Sequence, residues 1–260
     1  MIDLFETIQL EERENVLWLT LNRPDKLNAF NEQMNREVMK AIKEAGKNPE
    51  IRAVVITGAG RAFCSGQDLS DVRADSDFGE ILRTRYNPMI QAIAGLEKPV
   101  IAAINGVAAG AGMSLALACD FRIASEKASF VEAFIHVGLV PDSGNLYYLP
   151  RIVGLAKAIE LAVLGEKISA EQAKEFGLVT EVASHEGFEQ TVEAFAIRLA
   201  QMPTKAIGLI KRYLQVSFDE TLDGMLEKEA YAQQIAGHSS DHKEGVQAFL
   251  EKRKPVFSGK

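Results

Sequence analysis

Two stretches of small residues could bring backbone amides close to a ligand. Residues 61–69 read RAFCSGQDL, and residues 105–114 read NGVAAGAGMS. Small side chains let a ligand approach the backbone, and a loop that opens a helix presents free N–H groups in a field that favours negative charge. Two such N–H groups directed at one point would make an oxyanion hole. Tight packing where a strand meets a helix is the alternative for either stretch.

A carboxylate in a turn is the second candidate for chemistry. Asp142 lies in the segment VPDSG at residues 140–144. A Pro-Asp-Ser-Gly sequence is typical of a turn or of a helix N-cap. Taken alone, the segment favours that interpretation.

Pattern and composition exclude several kinds of site. Neither small-residue stretch follows G-x-G-x-x-G or G-x-x-x-x-G-K-[ST], so neither is typical of a nucleotide-phosphate site. Cys64 and Cys119 are too few and too far apart in sequence for a disulfide framework or a metal site, so no metal is expected. With 29 basic against 36 acidic residues and a net charge of -7, nucleic acid is not expected as a partner.

The chain is expected to be a soluble, cytoplasmic protein. Its longest apolar stretches, at residues 100–104 and 115–119, are much shorter than the roughly 20 residues that a membrane span needs. Residues 1–6 lack the basic region and the apolar core of a signal peptide. The 260 residues, 47% of them hydrophobic and 25% charged, are typical of one large ordered domain or of a domain with an appendage.

Alternating strands and helices must position the two stretches in the first half of the chain. Short apolar runs that stop at glycine or at a turn are typical of strands buried on both faces. These runs are residues 16–21, 53–57, 100–104 and 121–124. Met34, Val38 and Ile42 recur every four residues and predict a helix that ends near Gly46. The repeated order of strand, glycine turn and small-residue loop predicts strand-turn-helix units stacked on one another.

Helices dominate the predicted second half, which is expected to be all-helical from about Leu155 onward. The capping-box sequence SAEQ at residues 169–172 opens one of these helices. The others, marked by apolar residues at helical spacing, are residues 188–199, 206–216 and 222–235. No long Pro- or Gly-rich linker separates the halves. We therefore predict an α/β core over residues 1–195 and a helical C-terminal region over residues 196–260, which packs on the core or on a neighbouring subunit.

Four motifs, in order along nearly the whole chain, resemble those of the enoyl-CoA hydratase/isomerase (crotonase) superfamily. They are NRPDKLNA at residues 22–29, GRAFCSGQDL at residues 60–69, KPVIAAING at residues 98–106 and EGVQAFLEKR at residues 244–253. Residues 138–151 and 245–260 particularly resemble the isomerase branch that includes the ring-epoxide isomerase of phenylacetyl-CoA breakdown. Several ordered motifs are more specific than any single glycine loop.

The resemblance implies a fold, a substrate and a set of site residues. The fold is a spiral of ββα units followed by a helical trimerisation region, assembled as a trimer or a dimer of trimers. The substrate is an acyl-CoA thioester, so coenzyme A arrives with the substrate and no separate cofactor is expected. The thioester oxygen lies between the backbone N–H groups of Gln67 and Ala111. The expected CoA contacts are Lys26, Ser65, Asp68 and Leu69 and, across a subunit boundary, Phe249 and Lys252, although the last two residues also suit an ordinary amphipathic helix end.

The acid/base residues decide which reaction such a site performs. Family hydratases use two glutamates, and the corresponding positions here are Ser114 and Phe134. Glu132 is two residues from Phe134, an offset of roughly 6–7 Å in an extended chain, which is too far for it to be assumed as a substitute. In isomerase branches the position of Asp142 carries the catalytic aspartate. Burial beside Phe134 and Leu139 would raise the pKa of Asp142 and help it both to accept and to donate a proton. One carboxylate is sufficient for isomerisation, because it can take a proton from one carbon and return it to another while the oxyanion hole holds the dienolate.

The prediction is therefore an acyl-CoA isomerase of fatty or phenylacetic acid catabolism, with Asp142 as the sole general acid/base and an enoyl-CoA or a ring-epoxide acyl-CoA as substrate. A hydratase that recruits Glu132 or water is one alternative, and an inactive assembly subunit is an alternative of a different class. A dehalogenase would need a histidine within residues 89–96, which contain none. Further residues that could line an acyl pocket or belong to the core are Asn145, Tyr147 and Tyr148.

Overall fold

Ten strands form two sheets in the computed structural model, which describes residues 5–71 and 76–260. In chain order the strands are β1 Ile8–Arg13, β2 Val16–Leu21, β3 Ala53–Gly58, β4 Ala62–Cys64, β5 Val100–Ile104, β6 Val107–Ala109, β7 Phe121–Ser125, β8 Ser129–Val131, β9 Ile168–Ser169 and β10 Glu181–Ala183. The larger sheet has the order β1-β2-β3-β5-β7-β10, and the smaller has the order β4-β6-β8-β9. Residues 1–4, which belong to the predicted α/β core and to the segment for which no signal peptide is predicted, lie outside the described residues.

From β3 to β8, consecutive strands alternate between the two sheets. The strands β3, β5 and β7 pair in parallel in the larger sheet, and the strand that follows each of them, β4, β6 or β8, pairs in parallel in the smaller sheet. The predicted repeat of strand and glycine turn is confirmed. The element after each turn was predicted as a loop, which is wrong, because residues 62–64 and 107–109 form short strands.

Eleven α-helices lie within the described ranges. They are α1 Glu32–Lys47, α2 Phe78–Ile81, α3 Asn87–Ala94, α4 Ala111–Ala118, α5 Asn145–Val153, α6 Leu155–Leu164, α7 Ala170–Glu175, α8 Phe188–Ala200, α9 Thr204–Val216, α10 Leu222–Gly237 and α11 Ser240–Leu250. The helix predicted from Met34, Val38 and Ile42 is confirmed as α1, and all three side chains are buried. The capping box at Ser169 is also confirmed, with Gln172 at the third helical position. The prediction of an all-helical second half is wrong at β9 and β10, which complete the two sheets.

Both faces of the central strands β2, β3 and β5 are covered, which is why these strands are nearly continuous apolar runs. On one face, α1, α3 and α4 contribute to a large cluster that includes Met34, Ile93 and Leu115. On the other face, α8 covers Trp18 and Val55 with a second apolar cluster. Because α8 runs from residue 188 to residue 200, it continues across the predicted boundary at 195/196, and the division into residues 1–195 and 196–260 stays a prediction.

A buried ion pair joins α9, one of the C-terminal helices, to the core. Lys211 on α9 is only 8% exposed, and its Nζ lies 2.8 Å from Oδ2 of Asp120, which immediately precedes β7. Helix α10 has no buried residue and exposes Leu222, Leu226 and Tyr231. The predicted role of this region in trimer assembly stays a prediction. Across the described ranges, the helices are all too short or too polar to cross a membrane.

Candidate active site

The N-terminus of α4 supplies the first free amide of the site. Gly110 precedes the helix with φ +50°, a left-handed conformation that favours glycine, and Ala111 is the first helical residue. A helix leaves its first N–H groups without an intrahelical acceptor, so the Ala111 N–H is available to a ligand. The helix is apolar and buried throughout, and Ala111 itself is 4% exposed. The predicted N–H donor therefore lies at a buried helix N-terminus.

The second amide belongs to Gln67, just beyond β4. Its neighbours pair with Phe30: the Phe30 N–H donates to the Gly66 carbonyl at 2.7 Å, and the Asp68 N–H donates to the Phe30 carbonyl at 2.8 Å. Successive amides of an extended chain point to opposite sides, so the Gln67 N–H points away from Phe30. Among the described residues, no backbone carbonyl accepts from the Gln67 N–H or the Ala111 N–H.

Two glycines, Gly66 and Gly112, allow the two amide-bearing segments to approach each other closely. A Cβ added to Gly66 would lie 3.0 Å from the Ala109 carbonyl oxygen and 3.5 Å from the Ala111 nitrogen. A Cβ added to Gly112 would lie only 2.2 Å from the Cys64 carbonyl oxygen, which is closer than real Cβ contacts allow. The structure therefore brings the segments of Gln67 and Ala111 against each other, as an oxyanion hole requires.

The candidate acid/base, Asp142, lies in a constrained turn just before α5. Ser143 and Gly144 both have positive φ, +55° and +83°, and the Asn145 N–H donates to the Asp142 carbonyl at 3.0 Å. The Ser143 hydroxyl donates to Oδ1 of Asp142 at 2.7 Å. Burial raises the pKa of Asp142, and the Ser143 hydrogen bond opposes that rise. The predicted direction of the shift is confirmed, and the half-buried carboxyl retains some exposure to solvent.

Tyr86 connects the amide and carboxyl parts of the site, and the sequence analysis missed it. Its hydroxyl donates to Oε1 of Gln67, and its ring packs edge-on against Phe30. Burial raises the pKa of the Tyr86 phenol well above its usual value, and the negative charge of Asp142 contributes to that rise. Tyr86 ends a π-helical turn, Leu82–Tyr86, between α2 and α3. Such turns are frequent at functional sites, but no pattern in the sequence marked this one.

Apolar and polar groups occupy the two positions where family hydratases carry glutamate. The ring of Phe134 comes within 3.9 Å of the Cβ position of Gly110, so it forms an apolar wall beside the first turn of α4. Ser114 is fully buried on α4, and its hydroxyl accepts from Nδ2 of Asn145 at 3.3 Å. The same Nδ2 donates to Oε1 of Glu132 at 2.8 Å. Glu132 therefore lies beside Ser114.

The sequence offset between Glu132 and Phe134 does not predict where the Glu132 carboxyl lies. The offset of two residues separates it from Phe134, but the chain turns at Glu132 into the 3-10 helix Ala133–Val137. This turn directs the carboxyl toward the Asn145 amide instead, and Glu132 is 1% exposed. Burial, together with the charge of Asp142, raises the pKa of Glu132 to about 7, against the opposing hydrogen bond from Asn145.

The residues predicted to contact CoA fall in two places. Lys26 and Ser65 are neighbours, since the Ser65 hydroxyl donates to the Lys26 carbonyl at 3.4 Å, and Leu69 is 64% exposed close by in the chain. Phe249, 83% exposed, and Lys252 lie at the end of α11. No hydrogen bond within the described ranges joins these two residues to the Ser65 loop. Their contact with CoA across a subunit boundary stays a prediction.

Asp68 holds the loop in place with its side chain. The carboxylate lies 2.8 Å from the Arg23 guanidinium and accepts from the Ser70 hydroxyl at 2.6 Å. The Ser70 hydroxyl and Arg23 together lower the pKa of Asp68 to about 2, despite its burial. The backbone N–H of Asp68 donates to the Phe30 carbonyl, and its carbonyl accepts from the Asp71 N–H. The predicted contact between Asp68 and CoA therefore stays a prediction.

Replacing Asp68 is expected to destabilise the fold in a pH-dependent way. The pKa is about 2 in the folded state against 3.8 ordinarily, so the ionised carboxylate contributes about 2 kcal/mol of stability above pH 4. This contribution is lost as the pH falls from 4 toward 2. Urea denaturation of Asp68→Asn beside wild-type protein should show that gap at pH 7 and a smaller one at pH 3. Asp25→Asn, at an exposed aspartate in the neighbouring turn, is the matched control, and an equal loss there would contradict the assignment.

No cluster of histidine, cysteine, aspartate and glutamate within the described residues could hold a metal ion. Both cysteines are buried free thiols, and burial raises the pKa of each to about 12. The groups brought together by the fold are two free amides, one half-buried carboxyl and one fully buried carboxyl. Such a set can stabilise a developing oxyanion and transfer a proton.

Known proteins resemble the chain over nearly its whole length. The family described as enoyl-CoA hydratase/isomerase matches residues 11–260. The 1,2-epoxyphenylacetyl-CoA isomerase of Escherichia coli K12 is 45% identical over 99% of this chain and 100% of its own. A protein of Rhodobacter capsulatus named "Probable enoyl-CoA hydratase" is 44% identical over 98% of this chain and 99% of its own.

A solved structure extends the comparison to the fold. The enoyl-CoA hydratase/isomerase of Cupriavidus metallidurans superposes with a TM-score of 0.93 at 35% identity, covering 99% of this chain and 98% of that one. This likeness confirms the predicted crotonase-like α/β fold with a helical C-terminal region. Because both the sequence and the fold match almost from end to end, the chain belongs to the enoyl-CoA hydratase/isomerase family.

Proposed function

We propose that the protein is an acyl-CoA isomerase in which Asp142 is the only acid/base group that touches the substrate. The difference in burial between its two candidate carboxyls carries this proposal. Asp142 is half-buried in the turn before α5, whereas Glu132 is 1% exposed and bonded to Asn145. A group must reach the substrate proton to transfer it, and of these two carboxyls only Asp142 is partly open to solvent. The positions of the two hydratase glutamates are occupied by Ser114 and Phe134.

The proposed reaction moves one proton and one double bond. The thioester oxygen accepts hydrogen bonds from the Gln67 and Ala111 amides. Asp142 takes a proton from C2 of a 3-enoyl thioester, and the electron pair of that C–H bond passes to the thioester oxygen as a dienolate. The amide pair stabilises this charge. Asp142 then returns the proton to C4, which leaves the double bond between C2 and C3 and restores the carboxylate.

Similar proteins include both a named isomerase and a named hydratase, so the two activities must be distinguished by experiment. The E. coli relative is named an isomerase and the R. capsulatus relative a hydratase. A hydratase is the second candidate, favoured by the position of Glu132 beside Ser114. In either case coenzyme A is part of the substrate, and no further cofactor is proposed. A trimer or a dimer of trimers would bring Phe249 and Lys252 to a neighbouring CoA.

Product analysis in D2O separates the candidate functions. The protein is incubated with 3-enoyl-CoA, 2-enoyl-CoA and ring-epoxide phenylacetyl-CoA, and the products are analysed by mass spectrometry and NMR. Isomerisation predicts a moved double bond or an altered ring, with deuterium carried into carbon positions and no added oxygen. Net addition of water as the main reaction would replace the proposal with a hydratase. No turnover of any of the three substrates would favour an inactive assembly subunit.

Tyr86→Phe is expected to lower kcat by about 3- to 10-fold without unfolding the protein. The hydroxyl donates to the side chain of Gln67 and so orients this residue, whose backbone N–H is half of the oxyanion hole. One neutral hydrogen bond contributes on the order of 1 kcal/mol. The matched control is Tyr147→Phe, since the Tyr147 hydroxyl donates to the Gln215 carbonyl on the α9 side. Steady-state kinetics of both variants test the idea, and equal losses in the two would show that Tyr86 has no special role.

A further inference from the structure

A buried carboxyl and a buried amide are hydrogen-bonded to each other next to the Asp142 turn. The Asn145 side chain is fully buried, and Glu132 is 1% exposed. Nδ2 of Asn145 donates to Oε1 of Glu132 at 2.8 Å and to the Ser114 hydroxyl at 3.3 Å, which uses both of its N–H groups. Two acceptors of the pair, Oε2 of Glu132 and Oδ1 of Asn145, have no hydrogen-bond partner among the described residues.

This pair lacks one hydrogen-bond donor. If Glu132 is ionised, both unpartnered atoms are acceptors, and a buried acceptor without a donor is strongly disfavoured. A proton on Glu132 turns the carboxyl into a donor and leaves a neutral acid opposite a primary amide, a combination in which each group can both donate and accept. Protonation of Glu132 therefore supplies the donor that the geometry requires.

Few charged groups face this pair. Helix α4, which contributes Ser114, has no titratable side chain over its whole length. On the element that begins at Glu132, His136 is exposed and bonds to the Gly165 carbonyl through Nε2. The turn before α5 contributes Asp142, the one charged group among the described residues that acts on Glu132, and the charge of Asp142 also acts on Tyr86. The raised pKa of Glu132 agrees with a carboxyl that keeps its proton while Asp142 is ionised.

We propose that Glu132 is a positioning residue whose neutral carboxyl, paired with Asn145, holds Asp142 in its working geometry. Asn145 is the link, because its backbone N–H donates to the Asp142 carbonyl while its side chain is bonded to Glu132. When Glu132 loses its proton, the pair holds two buried acceptors without a donor, and it opens. Asn145 then shifts, and the Asp142 turn shifts with it. This inference rests on the proposed isomerase function for its kinetic readout only.

Glu132→Gln tests the inference because glutamine matches the protonated acid. The introduced side-chain amide can accept from Nδ2 and donate to Oδ1 of Asn145, and it stays neutral at every pH. We expect the kcat/KM of the wild-type enzyme to fall about 10-fold per pH unit above the pKa of Glu132, as for one ionisation. The variant should keep the wild-type value at pH 6 and show no such decline. Glu160→Gln, at an exposed glutamate on α6, is the control and should keep the wild-type profile.

Two measurements that need no substrate test whether Glu132 is protonated in the folded protein. Carbon-13 NMR of labelled glutamate carboxyls, assigned by difference from Glu132→Gln, should show Glu132 protonated at pH 6. The folded pKa lies above the ordinary value of 4.5, so its stabilising contribution is lost as the pH rises from about 4.5 to 7. The urea midpoint of the wild-type protein should therefore decline relative to that of the variant over this range.

Each outcome is informative about Glu132 separately from the proposed function. An ionised Glu132 at pH 6, or urea midpoints that stay parallel, would overturn the inference even if the enzyme isomerises its substrate. A protonated Glu132 with an unchanged alkaline decline in Glu132→Gln would overturn the positioning role. If no substrate is isomerised, the proposed function fails, while the NMR signal and the urea midpoints still decide whether the neutral pair exists.

Discussion

Asp142→Asn is expected to lower the rate of isomerisation by about 10³-fold, within the range of a lost general acid/base. Asparagine has nearly the shape of aspartate and can still accept the Ser143 hydroxyl hydrogen bond at Oδ1. It cannot accept a proton at neutral pH. Because the turn is held by backbone groups and by positive φ at Ser143 and Gly144, the fold and substrate binding should be retained. The loss should therefore lie in kcat, with KM changed little.

Stopped-flow or steady-state kinetics, together with exchange of the substrate C–H proton in D2O, measure this effect. Both isomerisation and exchange should disappear together, since one carboxyl performs both steps. Asp25→Asn, at an exposed aspartate, should keep wild-type rates. A variant that retained more than about a tenth of the activity would move the acid/base role away from Asp142. Glu132→Gln would then be the decisive second variant, because Glu132 is the other carboxyl of the site.

The strands β2, β3, β5 and β7 could be predicted from sequence because each carries its own signal, whereas β1, with its polar sequence IQLEER, was not predicted. Residues 53–57 and 100–104 are apolar, β-branched and ended by glycine, and they form β3 and β5 between two covered faces. The partner strands β4 and β6 have three residues each, too short for any alternation to show. Their conformation comes from pairing with each other across the smaller sheet, a long-range contact that local sequence does not encode.

Some residues of the candidate site could also be predicted from sequence, and others could not. The amides of Gln67 and Ala111 could be expected from the resemblance, since backbone donors depend on the loop and not on the side chain. The position of Glu132 could not, because a separation counted along the chain assumes an extended path, and the chain turns at that residue. Tyr86 is placed by a π-helical turn, which shifts the register of a helix without leaving a residue pattern.

Gly112→Ala, which adds one methyl group at the junction between β4 and α4, is expected to lower both the stability and the activity of the protein. A Cβ at Gly112 would lie 2.2 Å from the Cys64 carbonyl oxygen and 2.8 Å from the Cys64 Cβ, atoms that are buried and cannot swing aside. In Gly112→Ala the helix and the strand must therefore move apart. Such overpacking typically costs about 1–3 kcal/mol of stability.

Activity should suffer more than stability in Gly112→Ala. The displaced backbone adjoins Ala111 on one side and leads to Gln67 on the other, so the two amides no longer point at one oxygen. A misplacement of about 1 Å can lower a rate about 10²-fold, and we expect at least that loss in kcat from the folded variant. Circular dichroism and urea denaturation establish the folded fraction before kinetics are measured.

Gly237→Ala is the matched control for this substitution, because it tests the same added methyl group in a helix without the contact. Gly237 ends α10, has no heavy atom within 4 Å of its Cβ position and is exposed. Alanine there should leave kcat unchanged and stabilise the helix by up to about 1 kcal/mol. If Gly112→Ala were destabilised but kept full kcat in its folded fraction, the β4–α4 junction would serve packing alone, and the oxyanion hole would have to lie elsewhere. A loss of kcat confined to Gly112→Ala would tie the close backbone approach at Cys64 to the alignment of the two amides.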